Sequence, residues 1–434
     1  MNKTLLTLAL LLCTVLTSYA QSKYDLNNDG AVNIGDVTKV INVILGKEAD
    51  ESQQVPPTLT PTPEGPYTDG ILLYTIDTHE VTVCGVNEEG DVSKVNVPQK
   101  VKVQNETFSV TRIGEAAFKD CADLTSISLP EGLTSIGKRA FWGCPYLSSI
   151  SIPASVNEIG AYAFNSCTSL TSIDLPNGLT TIERDLFYAC KSLEAINIPS
   201  SVTSIEKMAF NGCTALKVLN IPSNVKSIGD YAFEKCQALQ LVNLPEGLTT
   251  IGTGAFTSCN ALTTLTIPST VTSIGASAFS NCKNLAVVNL KEGIKEIGNQ
   301  AFWACEALVS INIPGSVRAV GDEAFYGCTA LMTATIGHGV REIGAQAFYG
   351  CLSLMKLSIS ASVEMINRRA FGACNSLAHV TALRTNPAGY NCVNIFADTN
   401  THQATLHIPS GCTMIYITKS PWNEFGKIVE DAEE

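Results

Sequence analysis

The stretch LTTLTIPSTVTSIGASAFSNCKN, residues 262–284, decides the fold of this chain. Leu265 and Ile267 alternate with threonines, which places both apolar side chains on one face of a short strand. Pro268 lacks a backbone N–H and is expected to end that strand. Gly275 is expected to turn the second extended stretch that follows. The segment therefore describes one coil of backbone with an apolar inner side.

The same unit recurs every 23 residues without an insertion, and its cysteine always lies three residues after a phenylalanine and three before a leucine. The column cysteines are Cys121, Cys144, Cys167, Cys190, Cys213, Cys236, Cys259, Cys282, Cys305, Cys328, Cys351 and Cys374. No unit can bury its apolar residues alone, so the core forms only where coils stack, about 4.8 Å apart. A period of this length predicts a repeat solenoid, namely a leucine-rich-repeat stack of short β-strands and turns.

The column cysteines raise the question of disulfides in an exported chain. Their fixed place between phenylalanine and leucine predicts buried free thiols, because an unpaired cysteine behaves as a small hydrophobic residue. A bridge remains open for Cys392 and Cys412, which lie outside the column. Cys84 has no obvious partner.

The N-terminus has the pattern of a cleaved secretory signal over residues 1–20. Lys3 precedes an apolar run that leads to the small-residue site Ser18-Tyr19-Ala20. No later stretch approaches the roughly 18 apolar residues of a membrane helix. We therefore expect a protein that is secreted or held at the cell surface and has no transmembrane segment.

Composition divides the rest of the chain. The predicted parts are a calcium-loop and helix module at 21–50, a Pro/Thr-rich linker at 51–66, a β-rich N-terminal cap at 67–109, the solenoid at 110–379, and a mixed C-terminal cap with an acidic tail at 380–434. Strands are expected over 71–76 and 80–86 in the first cap. Trp422 and Phe425 are expected to cover the last coil, since an open apolar coil end would meet water.

A net charge of −12 argues against nucleic acid and anionic lipid as partners, because both need clustered Lys and Arg. The five histidines are scattered and show no metal spacing. No nucleophile elbow, phosphate loop or zinc motif is present in the sequence. We expect a binding protein rather than an enzyme.

Residues 25–36, DLNNDGAVNIGD, have the spacing of a calcium loop, with glycine at the turn position. The predicted oxygen ligands are the side chains of Asp25, Asn27, Asp29, Asn33 and Asp36 and the carbonyl of Ala31. Hard cations prefer such oxygen sets. Apolar residues then follow at helical spacing, which predicts one amphipathic helix that ends at Gly46.

At these residues two families can be named. Residues 67–429 resemble the BspA-like leucine-rich-repeat proteins, whose unit carries the same Ile-Gly-x-x-Ala-Phe-x-x-Cys core. That resemblance implies an exported bacterial surface protein that adheres to host matrix proteins, other cells or mucosal surfaces.

Residues 25–46 resemble a type I dockerin, which implies calcium ligation by the loop residues and a cohesin as partner. A dockerin has two loops in tandem, whereas this chain has one, which departs from the pattern needed for cohesin docking. The dockerin resemblance also leaves open a non-catalytic role in polysaccharide-degrading machinery.

The residue after the repeat phenylalanine varies in type and is therefore not a core position. It is aromatic in three consecutive coils, Trp303, Tyr326 and Tyr349, and nearer the start in Trp142 and Tyr188. Stacking at strand spacing aligns the three consecutive rings about 5 Å apart. Such a strip either contacts a protein or glycan partner or covers the edge of the core, and the sequence leaves both open.

The strand face is a second candidate surface, because small uncharged polar residues recur on it. They are Ser126, Ser149, Asn197, Asn220, Asn243, Asn289 and Asn312. These side chains either contact a partner or hydrogen-bond to the next coil as a structural ladder.

Overall fold

The computed structural model describes residues 56–61, 66–77, 80–87, 90–387 and 394–432. Over these ranges the chain winds into a parallel β-solenoid of about 14 turns with almost no helix. The predicted leucine-rich-repeat solenoid is confirmed. In the coil that opens at Leu262, Thr264–Ile267 is the first strand and Ser273–Ile274 the second. A turn segment with one cysteine then closes each coil.

The first strands of successive coils form the first ladder. Pro268 and the equivalent prolines end their strands, as expected. Its strands are Lys94–Asn96, Ser126–Ser128, Ser149–Ser151, Ser172–Asp174, Val218–Asn220, Leu241–Asn243, Thr264–Ile267, Val287–Leu290, Ser310–Ile313, Thr333–Ile336, Lys356–Ile359, His379–Ala382, Thr405–Ile408 and Lys427–Glu430. The pairing is parallel and in register, so that residues 23 apart are direct neighbours, as Thr264 and Val287 are. We call the outward side of this ladder the strand face.

The second ladder consists of two-residue strands, also parallel and in register. They are Ser135–Ile136, Glu158–Ile159, Thr181–Ile182, Ser204–Ile205, Ser227–Ile228, Thr250–Ile251, Ser273–Ile274, Glu296–Ile297, Ala319–Val320, Glu342–Ile343 and Met365–Ile366. The inner residue of each pair is buried.

The turn segments form a third wall that the sequence did not predict. In each coil two residues four positions apart have positive φ, for example Ser277 at 55° and Asn281 at 59°. Between them, Phe279 donates its N–H to the carbonyl of Ala301 in the next coil over 2.8 Å. Gly275 therefore does not supply the turn. A Cβ there would lie 2.6 Å from the carbonyl carbon of Gly252, so glycine is required for close contact between coils.

Two columns of stacked side chains, one of phenylalanine and one of cysteine, run through the core. The repeat phenylalanines from Phe118 to Phe371 are buried, and neighbouring rings stack at centroid distances such as 5.1 Å for Phe233 and Phe256. The column cysteines are buried free thiols, as predicted. From Cys144 to Cys374 each donates a long S–H hydrogen bond to the phenylalanine carbonyl of the preceding coil, 3.3 Å from Cys236 Sγ to Phe210 O. Cys412 is a buried free thiol, and Cys392 lies outside the described residues.

The N-terminal cap begins both ladders. Its strands are β1 (Thr60–Pro61), β2 (Tyr67–Thr68), β3 (Leu72–Asp77), β4 (Glu80–Val86), β5 (Lys94–Asn96), β6 (Lys100–Val103) and β7 (Glu106–Ile113). β1 to β4 pair in antiparallel order, and β4 pairs with β7 in parallel. β5 starts the first ladder beside Ser126–Ser128, and β7 starts the second beside Ser135–Ile136.

Part of the predicted linker packs on this cap. Leu59 is buried, and its N–H donates to the carbonyl of Lys102 over 2.6 Å. Residues 56–61 are therefore an edge of the folded cap rather than a free spacer.

The C-terminal cap continues the coil geometry after the 23-residue period has ended. Phe396 stacks on Phe371 at 5.9 Å, although 25 residues separate them. Trp422 and Phe425 are buried edge-on against Phe396, at centroid distances of 5.6 and 5.2 Å. The short helices of the cap are 3-10 turns at Thr401–Gln403 and Trp422–Glu424 and one α-helical turn at Thr413–Tyr416. Aromatic bulk therefore covers the last coil.

Candidate binding surfaces

The three consecutive aromatic residues stack along the solenoid. Trp303 and Tyr326 have ring centroids 6.2 Å apart, and Tyr326 and Tyr349 have centroids 5.3 Å apart. All three side chains are half-buried. At the next coil the position is Gly372, where a Cβ would lie 2.7 Å from the ring of Tyr349. The faces of these rings are thus largely covered by their neighbours, and mainly ring edges and polar atoms remain for a partner.

Trp142 and Tyr188 do not join this aromatic strip. Trp142 donates its ring N–H to Asn165 Oδ1 over 2.9 Å, and Lys119 Nζ lies 4.6 Å from the centre of its indole ring. Asn165 is 7% exposed and separates Trp142 from Tyr188. Near the start of the solenoid, the residues that follow the repeat phenylalanine therefore form polar and aromatic contacts between neighbouring coils.

The asparagines of the strand face also contact neighbouring coils. Asn243 Nδ2 donates to Asn220 Oδ1 over 2.9 Å, and Asn289 Nδ2 donates to Thr266 Oγ1 over 3.4 Å. These two bonds support the structural-ladder interpretation for Asn220, Asn243 and Asn289. Their side chains are nevertheless exposed and present uncharged amides on the strand face.

An apolar surface at the start of the strand face was not predicted from the sequence. We define the apolar stripe as Val309, Met332 and Met355, which directly follow the repeat leucine in three consecutive coils. Each of these side chains is exposed, from 43% for Val309 to 49% for Met332. Consecutive backbone hydrogen bonds align them, since the Met332 N–H donates to Val309 O over 2.8 Å and the Met355 N–H donates to Met332 O over 2.9 Å. Val218, Leu241 and Val287 are also exposed, but they lie one residue later in their coils and Thr264 interrupts them.

The sequence signal for the stripe lies in the comparison of equivalent positions. Met332 and Met355 occupy the place that Ser148 and Thr171 hold in earlier coils, immediately after the repeat leucine. Because serine and threonine fit there, packing of the solenoid does not require an apolar residue. A contiguous exposed apolar patch of this kind is typical of an interaction site.

The predicted calcium ligands, Asp25 to Asp36, lie outside the described residues. Within the described ranges no group of three or more His, Cys, Asp or Glu side chains is arranged to hold a metal ion. The histidines are less scattered than the sequence suggested. Strand register brings His379 and His407 together, with 3.1 Å between Nδ1 of the first and Nε2 of the second. In the part of the chain that the structure describes, no helix is long and apolar enough to cross a membrane.

A stack of short parallel strands in which each coil carries the same inward leucine, isoleucine and phenylalanine positions defines a leucine-rich-repeat protein, a fold typical of binding proteins. Six copies of the family model described as the BspA type leucine rich repeat region match residues 94–217, 209–331 and 295–418. The chain therefore belongs to the BspA-type leucine-rich-repeat family.

The chain is similar to several solved structures. A leucine-rich repeat protein from Bacteroides ovatus is 27% identical with a TM-score of 0.61, covering 83% of this chain and 98% of its own. A leucine rich cell surface protein from Faecalibacterium prausnitzii is 24% identical with a TM-score of 0.47, covering 86% and 96%. The pneumococcal vaccine antigen PcpA is 18% identical with a TM-score of 0.48, covering 88% and 100%. None of the curated proteins matches the chain.

Proposed function

We propose that this protein is an exported bacterial binding protein, secreted or held at the cell surface, that adheres to host matrix or cell-surface proteins through its solenoid. The observation that carries the proposal is the apolar stripe together with the exposed asparagines of the adjoining strands, Asn289 and Asn312. Burying exposed apolar area against a partner contributes about 25 cal/mol per Å². Uncharged amides beside it add hydrogen bonds without the desolvation cost of a charge.

The protein-binding surface can be tested with substitutions that the repeat itself supplies. Met332→Ser and Met355→Thr place at each position a residue that earlier coils already hold there. Leu352→Thr is a matched control, because Leu352 is a similarly exposed apolar residue outside the stripe, and Thr329 occupies the same place one coil earlier.

The measurement is binding to a panel of matrix proteins and glycans, with thermal unfolding followed in parallel. We expect the double methionine variant to lose a protein ligand at least tenfold in affinity without a change in Tm, while Leu352→Thr binds normally. Undiminished binding by the double variant would place the contact elsewhere.

The aromatic strip is a second candidate surface for the same function. Three stacked rings in consecutive coils present a row of edges with two phenolic hydroxyls, and tyrosine and tryptophan are enriched among residues that dominate binding energy. Trp303, Tyr326 and Tyr349 changed together to alanine should remove a ligand that contacts this strip. Because the rings are half-buried, the variant must keep its cooperative unfolding transition before a loss of binding is assigned to contact.

We also propose that Asp25, Asn27, Asp29, Ala31, Asn33 and Asp36 hold one calcium ion. The donor set supports this, because several carboxylate and amide oxygens at this spacing are what calcium requires. Tethering through a cohesin, and with it a non-catalytic role in polysaccharide-degrading machinery, depends on this single loop.

A further inference from the structure

A groove of about 570 Å³ lies at the C-terminal end of the strand face, where the last described coils meet. Its polar lining includes Lys356, Ser358, His379, Thr381, His407 and Asp431. Register explains why they converge. Lys356 pairs with His379, and Thr381 pairs with both Ser358 and His407, all with side chains on the outward face. The groove shares no residue with the apolar stripe, although Met355 directly precedes Lys356.

Three of these side chains form a hydrogen-bonded chain. His407 Nδ1 lies 2.7 Å from Asp431 Oδ1, and His407 Nε2 lies 3.1 Å from His379 Nδ1. An ionised carboxylate only accepts hydrogen bonds, so Nδ1 of neutral His407 carries the proton. Its Nε2 is then an acceptor, and His379 Nδ1 must donate to it. The Nε2 of His379 then carries no proton and is a hydrogen-bond acceptor.

Charged side chains surround the two imidazoles. Lys356 comes from the preceding strand, and Lys427, Glu430 and Asp431 come from the last strand and its end. Glu430 is occupied elsewhere, since it accepts hydrogen bonds from the N–H and hydroxyl of Thr413. Lys356 is therefore the cation that the groove lining offers to an anionic group.

The remaining lining favours a sugar over a peptide. Ser358, Thr381 and Thr335 supply hydroxyls that both donate and accept, as sugar hydroxyls do. The apolar residues of the groove floor, Ala334 and Leu357, are buried and 1% exposed. A protein partner normally anchors itself through an apolar or aromatic contact, which this floor does not offer.

We propose that this groove binds an acidic sugar residue, with its carboxylate or sulfate group at Lys356 and its hydroxyls at His379, Ser358 and Thr381. Charge-assisted hydrogen bonds from an ammonium to an oxyanion are roughly twice as strong as neutral ones. Asp431 orients His407 and, through it, His379.

The repeat again supplies substitutions compatible with folding. Lys356→Thr and His379→Thr introduce the residue that Thr333 provides at the equivalent place, and His407→Asn introduces the residue that Asn312 provides. His338→Asn is the matched control, because His338 is exposed and does not line the groove.

Calorimetry with the full chain uses four probes: a glucuronate-bearing tetrasaccharide, a sulfated tetrasaccharide, a neutral tetrasaccharide and tetraglutamate. We expect an acidic tetrasaccharide to bind about tenfold or more tightly than the neutral one, because of the contact between its anionic group and the ammonium of Lys356. The tighter of the two acidic probes identifies carboxylate or sulfate as the preferred group. Lys356→Thr and His379→Thr should each weaken binding, and His338→Asn should not.

Three results would overturn the assignment. They are equal binding of the neutral probe, tetraglutamate binding as tightly as the acidic sugars, and affinity that the groove substitutions do not change. Failure of the adhesion proposal leaves the test intact, because the stripe variants and the groove variants change different residues.

Discussion

At the scale of single residues, the repeat cysteine combines two roles that its chemistry allows. It is small enough to fill the space between Phe and Leu, and its S–H donates to a carbonyl of the preceding coil, as from Cys282 Sγ to Phe256 O over 3.2 Å. Burial raises the pKa of Cys282 from an ordinary 9.0 to about 12. The column is therefore chemically inert near neutral pH, since thiolates are the reactive form.

This shift predicts a loss of stability in alkali. A thiol whose pKa is higher in the folded state contributes its full stabilisation below the unfolded value of 9.0 and loses it as pH rises toward about 12. The free energy of unfolding should fall over that window by about 1.4 kcal/mol per pH unit for each proton released on unfolding. Urea unfolding at several pH values measures the slope. Cys282→Ala should reduce the slope by about one proton, and an unchanged slope would contradict the buried thiol.

The glycine of the Ile-Gly pair predicts a second residue-scale effect. Gly275→Ala places a Cβ 2.6 Å from the backbone of the preceding coil, so we expect a destabilisation of about 2 kcal/mol or more. Gly327→Asn is the control. Gly327 has φ of 71° and its nearest Cβ neighbour would lie at 3.9 Å, and Asn281 holds the same place with φ of 59°. Urea unfolding of both variants should show a large loss for the first and under about 1 kcal/mol for the second.

At the scale of elements, the alternation of apolar and polar residues and the prolines that follow it were enough to predict the two strands of each coil. Leu265 and Ile267 point inward because their neighbours are polar, and Pro268 ends the strand because it cannot donate. The turn segment was not predictable in the same way. Its positive φ values fall on residues as different as Arg139, Tyr231 and Gln300, which carry no left-handed signature. Hydrogen bonds to the next coil impose that conformation, so it depends on stacking rather than on local sequence.

The proposed calcium loop is the segment whose function is indicated most directly by its sequence. Titration of the full chain with calcium should give one binding event per molecule, and Asp25→Asn with Asp36→Asn should abolish it by removing two of three carboxylates. Asp91→Asn with Glu106→Gln, both in the N-terminal cap, is a control of equal charge change. Binding that survives the double substitution, or no heat at millimolar calcium, would contradict the site.

At the scale of the whole molecule, the period indicates where coils stack but not what each coil presents to solvent. The groove at His379 and His407 forms because irregular spacing after Leu377 still returns the chain to the same register. The apolar stripe forms because variable positions align at strand spacing. Both surfaces arise from neighbours 23 or more residues apart, which no single unit encodes. Core positions were predictable because every unit repeats them, whereas binding surfaces are the positions at which units differ.

A one-dimensional stack should also respond locally to damage, because each coil contacts only its neighbours. Phe233 packs between Phe210 and Phe256, with centroid distances of 5.1 Å on both sides. Phe233→Ala removes both contacts and should cost about 3 to 5 kcal/mol. Amide hydrogen exchange should rise first in the adjoining turn segments, whose N–H groups donate between coils, and remain low around Trp422 in the C-terminal cap. Gln237→Thr, which introduces the residue found at Thr214 one coil earlier, is an adjacent control at an exposed position. Uniform loss of protection from cap to cap would instead show that the solenoid unfolds as one cooperative unit.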